Sequence, residues 1–330
     1  MKVLVLGGAG YIGSHTVLAL REKGFEPVVL DDLSRGHRAA VVGATLIQAD
    51  FTTVDLAAVL KESGCGAVMH FAALSQVGES IQRPDLYYRN NVAGGLSLLD
   101  AMVASGVHYL IFSSSAAVYG EPSRVPIKEE HPTVPVNPYG ATKLAFEGAM
   151  QWYARAFGLK YVSLRYFNAA GANPDGLIGE DHQPETHLIP LVLKAVLGSQ
   201  PVAVFGNDYP TYDGTCVRDY IHVCDLAEAH LLALQALLAG APSSVFNLGT
   251  GRGYSVLQVL ETARRVTGHD LCIQFAPRRP GDPAELVAAS RMAADKLGWR
   301  PRYPELEAIV TNAWQWHRAH PEGYPAETGR

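Results

Sequence analysis

Short apolar runs alternate with longer helical patterns through the first half of the chain. Continuous apolar character over a few residues is typical of strands buried on both faces, and longer stretches with apolar residues three and four apart predict helices. The predicted strands are 3–6, 28–30, 67–71 and 109–112, and the predicted helices are 14–23, 86–104 and 139–156. This alternation predicts an α/β fold, a doubly wound parallel sheet of the Rossmann type.

The amino-acid composition of the chain changes after Asn168. Residues 172–185 are rich in Gly, Pro and Asp, which predicts a long ordered loop, and such loops usually serve a function. Beyond this loop, short strands and helices are mixed. We therefore predict a sheet domain over 1–168, with returning segments near 216–250, and a smaller mixed α/β C-terminal lobe over 169–330.

Composition narrows the range of partners. Hydrophobic residues make up 48% of the 330 residues and the net charge is -5, so the chain has no basic surface for nucleic acid. No uninterrupted apolar run is long enough for a membrane span, and glycines break the one signal-like run at the start. The 4 cysteines form no CxxC pair, which favours free thiols in the cytoplasm. The 12 histidines include no zinc-type helical pair, so no metal site is predicted.

A glycine-rich turn separates the first predicted strand from the first predicted helix. Gly7, Gly10 and Gly13 have the spacing GxxGxxG, which allows a tight turn and close approach of the backbone to a pyrophosphate. Free N–H groups at the helix N-terminus then favour phosphate binding. Asp31 and Asp32 end the second strand, where a carboxylate accepts ribose hydroxyls and repels a 2′-phosphate. The pattern predicts NAD rather than NADP, although two nearby arginines would suit the 2′-phosphate of NADP.

The segment 137–143 contains a YxxxK motif. Asn137 suits the N-cap of a helix and Pro138 its first position, so that Tyr139 and Lys143 lie one turn apart on one face. A phenol is a poor base at neutral pH, because its pKa is about 10. A neighbouring ammonium and a positive nicotinamide ring favour the phenolate, so the pKa of Tyr139 is expected to fall. Tyr139 is therefore predicted to take a proton from a sugar hydroxyl.

Three serines, 113–115, follow the predicted strand 109–112. Ligands of open α/β sheets bind beyond the carboxyl ends of the strands, where these hydroxyls are expected. Ser115 is predicted to share the proton of the substrate oxygen and to polarise the intermediate carbonyl. A glycine turn, a ribose acid, a serine and YxxxK in this order predict an enzyme that oxidises a hydroxyl group.

Several segments resemble the extended short-chain dehydrogenase/reductase family, and within it the UDP-hexose 4-epimerases. The resemblance runs over essentially the whole chain and is most specific in VRDYIHVCDLA and the preceding FGNDYPT. The other segments that carry it are GGAGYIGSHT, HFAALSQVGES, FSSSAAVYGE, NPYGATK, LRYFNAAGA, FNLGTG and RRPGDPAELVA.

This resemblance implies NAD held tightly in the sheet domain, a UDP-sugar between the lobes, and interconversion of UDP-galactose and UDP-glucose by transient oxidation at C4. It also implies a homodimer formed through the helices around 86–104 and 139–156. The residues it implies for NAD are Gly7, Gly10, Tyr11, Ile12, Gly13, Asp31, Asp32, Asp50 (at the adenine), Phe71, Asn90, Tyr139, Lys143 and Phe167. The residues it implies for the substrate are Ser115, Tyr139, Asn168, His187, Leu188, Phe205, Arg218, Arg279, Asp282 and Leu286.

Within that set, Arg218 and Arg279 suit a pyrophosphate because guanidinium forks pair with its oxygens, and Phe205 suits a uracil ring. Leu286 occupies a position that resembles the family's size gate, where tyrosine goes with plain hexoses and a small residue with N-acetylated ones. Leucine is intermediate, which leaves UDP-N-acetylhexosamine turnover open. Ser75 stands where some relatives carry a lysine near the NAD phosphates, so the grip on the cofactor is expected to differ.

Two alternatives remain. Nucleotide-sugar dehydratases and decarboxylases share the fold, and dehydration needs an extra acid and base that relatives place directly after the serine. Here Ala116 and Ala117 follow Ser115, which favours epimerisation. A regulator that only binds a dinucleotide is the more distant alternative, because it has no need for Tyr139 and Lys143 together.

Overall fold

The computed structural model describes residues 1–279 and 282–325, in which strands and helices alternate as the sequence predicts. No helix in these two ranges is long and apolar enough to cross a membrane. Residues 280, 281 and 326–330, which belong to the predicted second lobe, lie outside the described residues. The strands are β1 Lys2–Leu6, β2 Glu26–Asp31, β3 Thr45–Gln48, β4 Ala67–His70, β5 Tyr109–Ser113, β6 Lys160–Tyr166, β7 Asn168–Ala170, β8 Val202–Phe205, β9 Val217–His222, β10 Ser244–Leu248, β11 Gly253–Ser255, β12 Ile273–Ala276 and β13 Glu285–Leu286. The helices are α1 Tyr11–Glu22, α2 Leu56–Ser63, α3 Val77–Gln82, α4 Pro84–Tyr87, α5 Gly95–Ser105, α6 Pro138–Phe157, α7 Leu188–Gly198, α8 Val223–Leu238, α9 Val256–Thr267, α10 Arg291–Leu297 and α11 Leu306–Ala319.

A parallel sheet forms the centre of the larger lobe. Within the described residues it has seven strands in the order β10-β6-β5-β4-β1-β2-β3. Successive side chains of β1 point to opposite faces: Val3 and Val5 pack with α1 and α8, whereas Leu4 and Leu6 pack with α2, α5 and α6. Both faces are therefore buried, which explains the continuous apolar runs and confirms the predicted doubly wound fold.

The chain leaves this sheet after β6 and later returns to it. β10 pairs in parallel with β6, and α8 packs against α1 on one face of the sheet. The residues between and after these elements form the smaller lobe, in which β7, β11 and β13 pair with β9, and β8 pairs with β12. Helices α7, α9 and α11 share its apolar core. The residue limits of the two domains stay a prediction.

The helix predicted over 86–104 is interrupted. A π-helical turn at Tyr88–Gly94 separates α4 from α5. Asn91 lies in this turn, and its side chain accepts a hydrogen bond from Leu74 N (2.9 Å) and donates to Leu74 O (3.0 Å). Wide turns of this kind are common at functional sites, and apolar spacing does not distinguish them from an α-helix.

Candidate active site

The glycine turn joins β1 to α1 at the carboxyl edge of the sheet. Gly7 has a φ of +75°, and a Cβ atom there would lie 2.6 Å from the backbone nitrogen of Ala72. A Cβ atom at Gly13 would lie 2.2 Å from the carbonyl oxygen of Gly7. Backbone therefore packs directly on backbone at both positions, and α1 begins close against the sheet.

The N-terminus of α1 is open. Its N-cap is Gly10, which makes no side-chain capping bond, and its first turn carries no acidic residue. Free N–H groups and the positive end of the helix dipole thus face the sheet edge without a competing carboxylate in that turn. This is the arrangement that binds a phosphate group.

Asp31 ties the second strand to the glycine turn. Its buried carboxylate accepts hydrogen bonds from Ala9 N and Leu33 N, both at 2.9 Å. Burial raises the pKa of Asp31, and these two bonds oppose the rise. Each oxygen keeps a lone pair for a ribose hydroxyl. Asp32, by contrast, is exposed, and its carboxylate accepts from Ser34 N at 2.9 Å.

The two arginines near this position are held by other protein groups. Arg35 donates to the carbonyl oxygen of Gln183 at 2.8 Å. Arg38 donates to the side-chain oxygen of Gln48 at 2.5 Å. Each guanidinium group is thus held by a protein acceptor and keeps further donors.

Other residues predicted for the cofactor follow the sheet edge. Asp50, Phe71 and Phe167 come directly after or near the carboxyl ends of β3, β4 and β6. Asn90 lies in the π-helical turn and donates to Asn91 Oδ1 at 2.9 Å. The topology therefore gathers these residues along one edge, while their contacts with a cofactor stay predictions.

Tyr11 and Ile12 begin α1. The hydroxyl group of Tyr11 donates to the carbonyl oxygen of Gly171 at 2.6 Å, and Ile12 packs against the core beneath α1. Tyr11 thus connects the cofactor turn with the loop that follows β7.

The serines after β5 have different partners. The Ser113 hydroxyl group pairs with the hydroxyl group of Tyr166. The Ser114 hydroxyl group donates to Glu147 Oε1 at 2.6 Å, and Glu147 forms a buried ion pair with Arg165. Both hydroxyl groups therefore belong to the interior. The Glu147–Arg165 pair was not predicted, because nothing in the spacing of two residues on different elements marks them as partners.

Of the three serines, Ser115 is the one predicted to act in catalysis. Its hydroxyl oxygen accepts from Ala117 N at 3.1 Å, and this hydroxyl group also acts to lower the pKa of the Tyr139 phenol, against the larger effect of burial. Tyr139 lies in the first turn of α6, whose N-cap Asn137 accepts a hydrogen bond from Gly140 N at 2.9 Å, as predicted. The structure therefore brings Ser115 and Tyr139 together.

Lys143 lies one turn further along α6 and is buried. Its ammonium group donates to the carbonyl oxygen of Ser113 at 2.8 Å and lies 5.8 Å from the ring centroid of Tyr139. Burial lowers the pKa of Lys143 to about 7, although the Glu147 carboxylate opposes that change.

The pKa of Tyr139 differs from the prediction in its direction. Burial raises this pKa, and the hydrogen bond with Ser115 opposes the rise without reversing it. The predicted fall was attributed to two positive charges, an ammonium and a nicotinamide ring. The protein side chains alone therefore do not produce it, because loss of solvation outweighs what they supply.

The predicted substrate residues in the smaller lobe form two interacting pairs. Arg218 forms an ion pair with Asp282 at 2.5 Å, and the guanidinium group of Arg279 stacks 4.0 Å from the ring centroid of Phe205. A guanidinium group held by one carboxylate keeps other donors for an anion. The arrangement therefore leaves two oriented arginines in the same lobe.

Leu286 and Asn168 connect this lobe with the sheet. Leu286 lies opposite Arg218 in the β13–β9 pairing and packs on the same small apolar cluster as Phe167. Asn168 Nδ2 donates to the carbonyl oxygen of Asp219 at 3.2 Å. The size-gate position thus lies between a predicted substrate arginine and a predicted cofactor residue.

His187 and Leu188 have clear structural partners. His187 Nδ1 lies 2.8 Å from a carboxylate oxygen of Glu180 and 3.2 Å from one of Glu185, and Leu188 packs on the apolar core of the smaller lobe. Contacts of these two residues with the substrate stay predictions. The cluster around His187 was not predicted, because its residues do not have the spacing of a metal site on a helix.

Four features define an enzyme of the short-chain dehydrogenase/reductase class. They are a parallel sheet, a glycine turn after β1, a serine after β5 and a Tyr–Lys pair on the next long helix. The chain belongs to the NAD dependent epimerase/dehydratase family, whose sequence model matches residues 3–249. These findings confirm the predicted family.

Relatives match the chain over nearly its whole length. It is 53% identical to a UDP-glucose 4-epimerase of Halalkalibacterium halodurans, over 99% of this chain and 98% of that one. A crystal structure of UDP-glucose 4-epimerase from Brucella ovis in complex with NAD matches with a TM-score of 0.93 and 48% identity, covering 95% of this chain and 97% of the other. The enzyme from Bifidobacterium longum in complex with NAD+ and UDP matches with a TM-score of 0.93 and 38% identity, covering 98% and 100%.

The close packing at Gly13 leads to a prediction. Gly13→Ala forces a methyl group against the Gly7 carbonyl oxygen. We therefore expect the free energy of unfolding to fall by about 1–3 kcal/mol, and we expect the variant to lose its bound dinucleotide. Thermal unfolding and the nucleotide released by acid measure both effects. Gly148→Ala is the matched control, because a Cβ atom there meets nothing within 4 Å. Wild-type stability and nucleotide content in Gly13→Ala would contradict the assignment of the turn.

Proposed function

We propose that the protein is a UDP-hexose 4-epimerase that interconverts UDP-galactose and UDP-glucose with a resident NAD. The observation that carries the proposal is the proximity of Ser115 and Tyr139 at the carboxyl end of β5, on the sheet edge that also carries the cofactor turn, with the Lys143 ammonium group 5.8 Å from the Tyr139 ring centroid. The family and the relatives of the same activity support it.

The residues present fit NAD. The backbone cradle at Gly7 and Gly13 excludes side chains, the N-terminus of α1 is open to a phosphate group, and Asp31 lies where a ribose hydroxyl is expected. Gly10, Tyr11 and Ile12 complete the turn. Bound NAD supplies reversible oxidation of the sugar at C4.

Tyr139 acts as the general base and then as the general acid. Its phenol oxygen removes the proton from the 4-hydroxyl group of the sugar and returns it when the carbonyl group is reduced. The Ser115 hydroxyl group donates to the same sugar oxygen and polarises the intermediate carbonyl. The Lys143 ammonium group, buried and 5.8 Å from the centroid of the Tyr139 ring, stabilises the phenolate form of Tyr139, which accepts this proton and becomes a phenol.

The smaller lobe anchors the UDP portion. Arg218, fixed by Asp282, and Arg279, stacked on Phe205, provide two guanidinium groups for the pyrophosphate. Asn168 and Phe205 complete the proposed UDP contacts. A firmly held UDP leaves the sugar free to present its other face to the cofactor, which epimerisation requires.

Dehydration is less well supported by the local residues. It requires a further acid and base near the serine, and the positions after Ser115 are Ala116 and Ala117. The nearest buried carboxylate on α6, Glu147, is paired with Arg165. The serine and the tyrosine therefore support proton transfer at the 4-hydroxyl group, and the residues around them do not supply the further acid and base of a dehydration.

Removal of the phenol hydroxyl tests this mechanism. Tyr139→Phe is expected to lower the conversion of UDP-galactose to UDP-glucose by about 10²–10⁴-fold, because general base catalysis is lost, while the NAD content stays unchanged. The assay contains no added NAD, and the products are identified by NMR. Tyr153→Phe on the same helix is the control, since its hydroxyl group donates to Asp100 on the surface. A near-normal rate in Tyr139→Phe, or a dehydrated 4-keto product from the wild type, would refute the proposal.

The range of sugars depends on Leu286. We propose that this half-buried side chain limits the space for an N-acetyl group, so that Leu286→Tyr lowers turnover of UDP-N-acetylglucosamine about tenfold or more relative to UDP-galactose. Leu286→Met is the control because it conserves volume. Kinetics with both substrates measure the ratio, and an equal effect on the two substrates would show that Leu286 is not a gate.

We propose that the protein is a cytoplasmic homodimer. Its cysteines, all within the described residues, are unpaired, as expected in a reducing compartment. Large apolar side chains remain exposed on the two helices that the resemblance assigns to the dimer: Leu96 on α5 is 37% exposed and Trp152 on α6 is 67% exposed.

Sedimentation equilibrium tests the assembly. The wild type is expected to be a dimer and Trp152→Glu a monomer, because the variant removes a large apolar side chain from the interface and puts there a carboxylate that is costly to desolvate. Val134→Glu, which places the same charge at an exposed apolar residue outside these helices, is expected to stay dimeric. A monomeric wild type would exclude the proposed dimer.

A further inference from the structure

Four metal-ligand side chains meet in the loop between β7 and α7. Glu180, His182, Glu185 and His187 follow one another with the spacing E-x-H-x2-E-x-H, and we refer to them as the loop cluster. One ligand atom from each residue lies within 4.8 Å of the others. Neither the glycine turn nor the Ser–Tyr–Lys group uses these four side chains.

The distances suit a small cation. The Nδ1 atoms of both histidines face carboxylate oxygens: His187 lies 2.8 Å from Glu180 and 3.2 Å from Glu185, and His182 lies 3.2 Å from Glu180. In a tetrahedral zinc site with bonds of about 2.0 Å, neighbouring ligand atoms lie about 3.3 Å apart. Glu180 Oε1 therefore lies at nearly this spacing from both Nδ1 atoms, and Glu185 Oε2 lies 3.6 Å from His182 Nδ1.

Several of these atoms lack hydrogen bonds. Glu180 Oε1, His182 Nδ1 and Glu185 Oε2 are buried and have no partner with hydrogen-bond geometry, although charged neighbours approach them. The side chains of Glu180 and Glu185 are only 3% and 5% exposed. Buried polar atoms without hydrogen bonds are costly, so a group of such atoms close together favours the binding of a cation that all of them can bond to.

Backbone N–H groups hold one of the two carboxylates. Glu185 Oε1 accepts hydrogen bonds from Thr186 N at 2.7 Å and His187 N at 2.8 Å, which leaves Oε2 of the same carboxylate beside the other ligand atoms. Such bonds to the surrounding shell are typical of metal-binding carboxylates. The Glu185 carboxylate is therefore oriented by the backbone of the loop.

A proton network is the competing interpretation. In that interpretation each histidine carries a proton toward the carboxylates, and the two rings lie with centroids 5.2 Å apart. It leaves Glu180 Oε1, His182 Nδ1 and Glu185 Oε2 without hydrogen-bond geometry. One divalent cation bonds to all of these atoms and balances the two carboxylates.

We propose that Glu180, His182, Glu185 and His187 bind one Zn²⁺ ion that fixes this loop against the start of α1. Two imidazoles and two carboxylates are a suitable four-coordinate donor set for zinc. The loop cluster contacts the cofactor turn, because the ring of His182 packs edge-on against Tyr11 with centroids 6.1 Å apart. The structure thus assigns the ion a structural role beside the turn.

Zinc content tests the proposal directly. The full-length protein is treated with a chelator, incubated with Zn²⁺, freed of excess ion by gel filtration and analysed for metal. We expect about one zinc per chain in the wild type and less than about 0.1 in the double variant His182→Ala/His187→Ala. His108→Ala is the matched control, because His108 is exposed and far from the loop in sequence, and it is expected to keep its zinc.

A second measurement does not depend on the folding of a variant. Wild-type protein loaded with Co²⁺ is expected to show the intense visible absorption of a four-coordinate site, and to unfold at a higher temperature than the metal-free protein. A reconstituted wild type with less than about 0.1 zinc per chain, a weak six-coordinate Co²⁺ spectrum, or unchanged zinc in the double variant would overturn the proposal. None of these outcomes depends on the proposed reaction.

Discussion

The turn between β1 and α1 has no room for a side chain at two positions, and the site depends on this close packing. Gly7 lies against the backbone of Ala72 and Gly13 against the carbonyl oxygen of Gly7, so α1 starts at the sheet edge with its N–H groups uncapped. At the end of β2, Asp31 accepts a hydrogen bond from Ala9 N in this turn. Tyr11, at the start of α1, donates a hydrogen bond to the loop after β7. One backbone constraint therefore orients the phosphate site, the ribose acid and the contact with the smaller lobe.

Much of the larger lobe was predictable, because strands buried on both faces leave continuous apolar runs. The runs at β1, β2, β4 and β5 were found within a few residues of their observed limits. The π-helical turn at Tyr88–Gly94 was missed, since apolar spacing does not distinguish it from an α-helix. The pairing of β10 with β6 also depends on contacts between residues far apart in the chain, which local periodicity does not contain.

The candidate site was predictable where spacing along one element fixes geometry. Tyr139 and Lys143 lie one turn apart on α6, so their proximity follows from the helix itself. The choice of Ser115 among three serines finds its physical reason only in the structure, where Tyr166 and Glu147 engage the other two. The loop cluster was missed because an irregular loop, rather than a helix, gathers its ligands. Burial raises the pKa of Tyr139 in the protein alone, and the predicted fall with a bound nicotinamide ring stays a prediction.

Together these features describe a site that transfers a proton at one sugar oxygen while the UDP portion is held elsewhere. The central claim is that the hydrogen at C4 leaves and returns within one enzyme molecule, without exchange with water. UDP-galactose labelled with deuterium at C4 tests this most directly, in ordinary water and without added NAD. The account predicts UDP-glucose that retains deuterium at C4, and UDP-glucose with protium at C4 would contradict it.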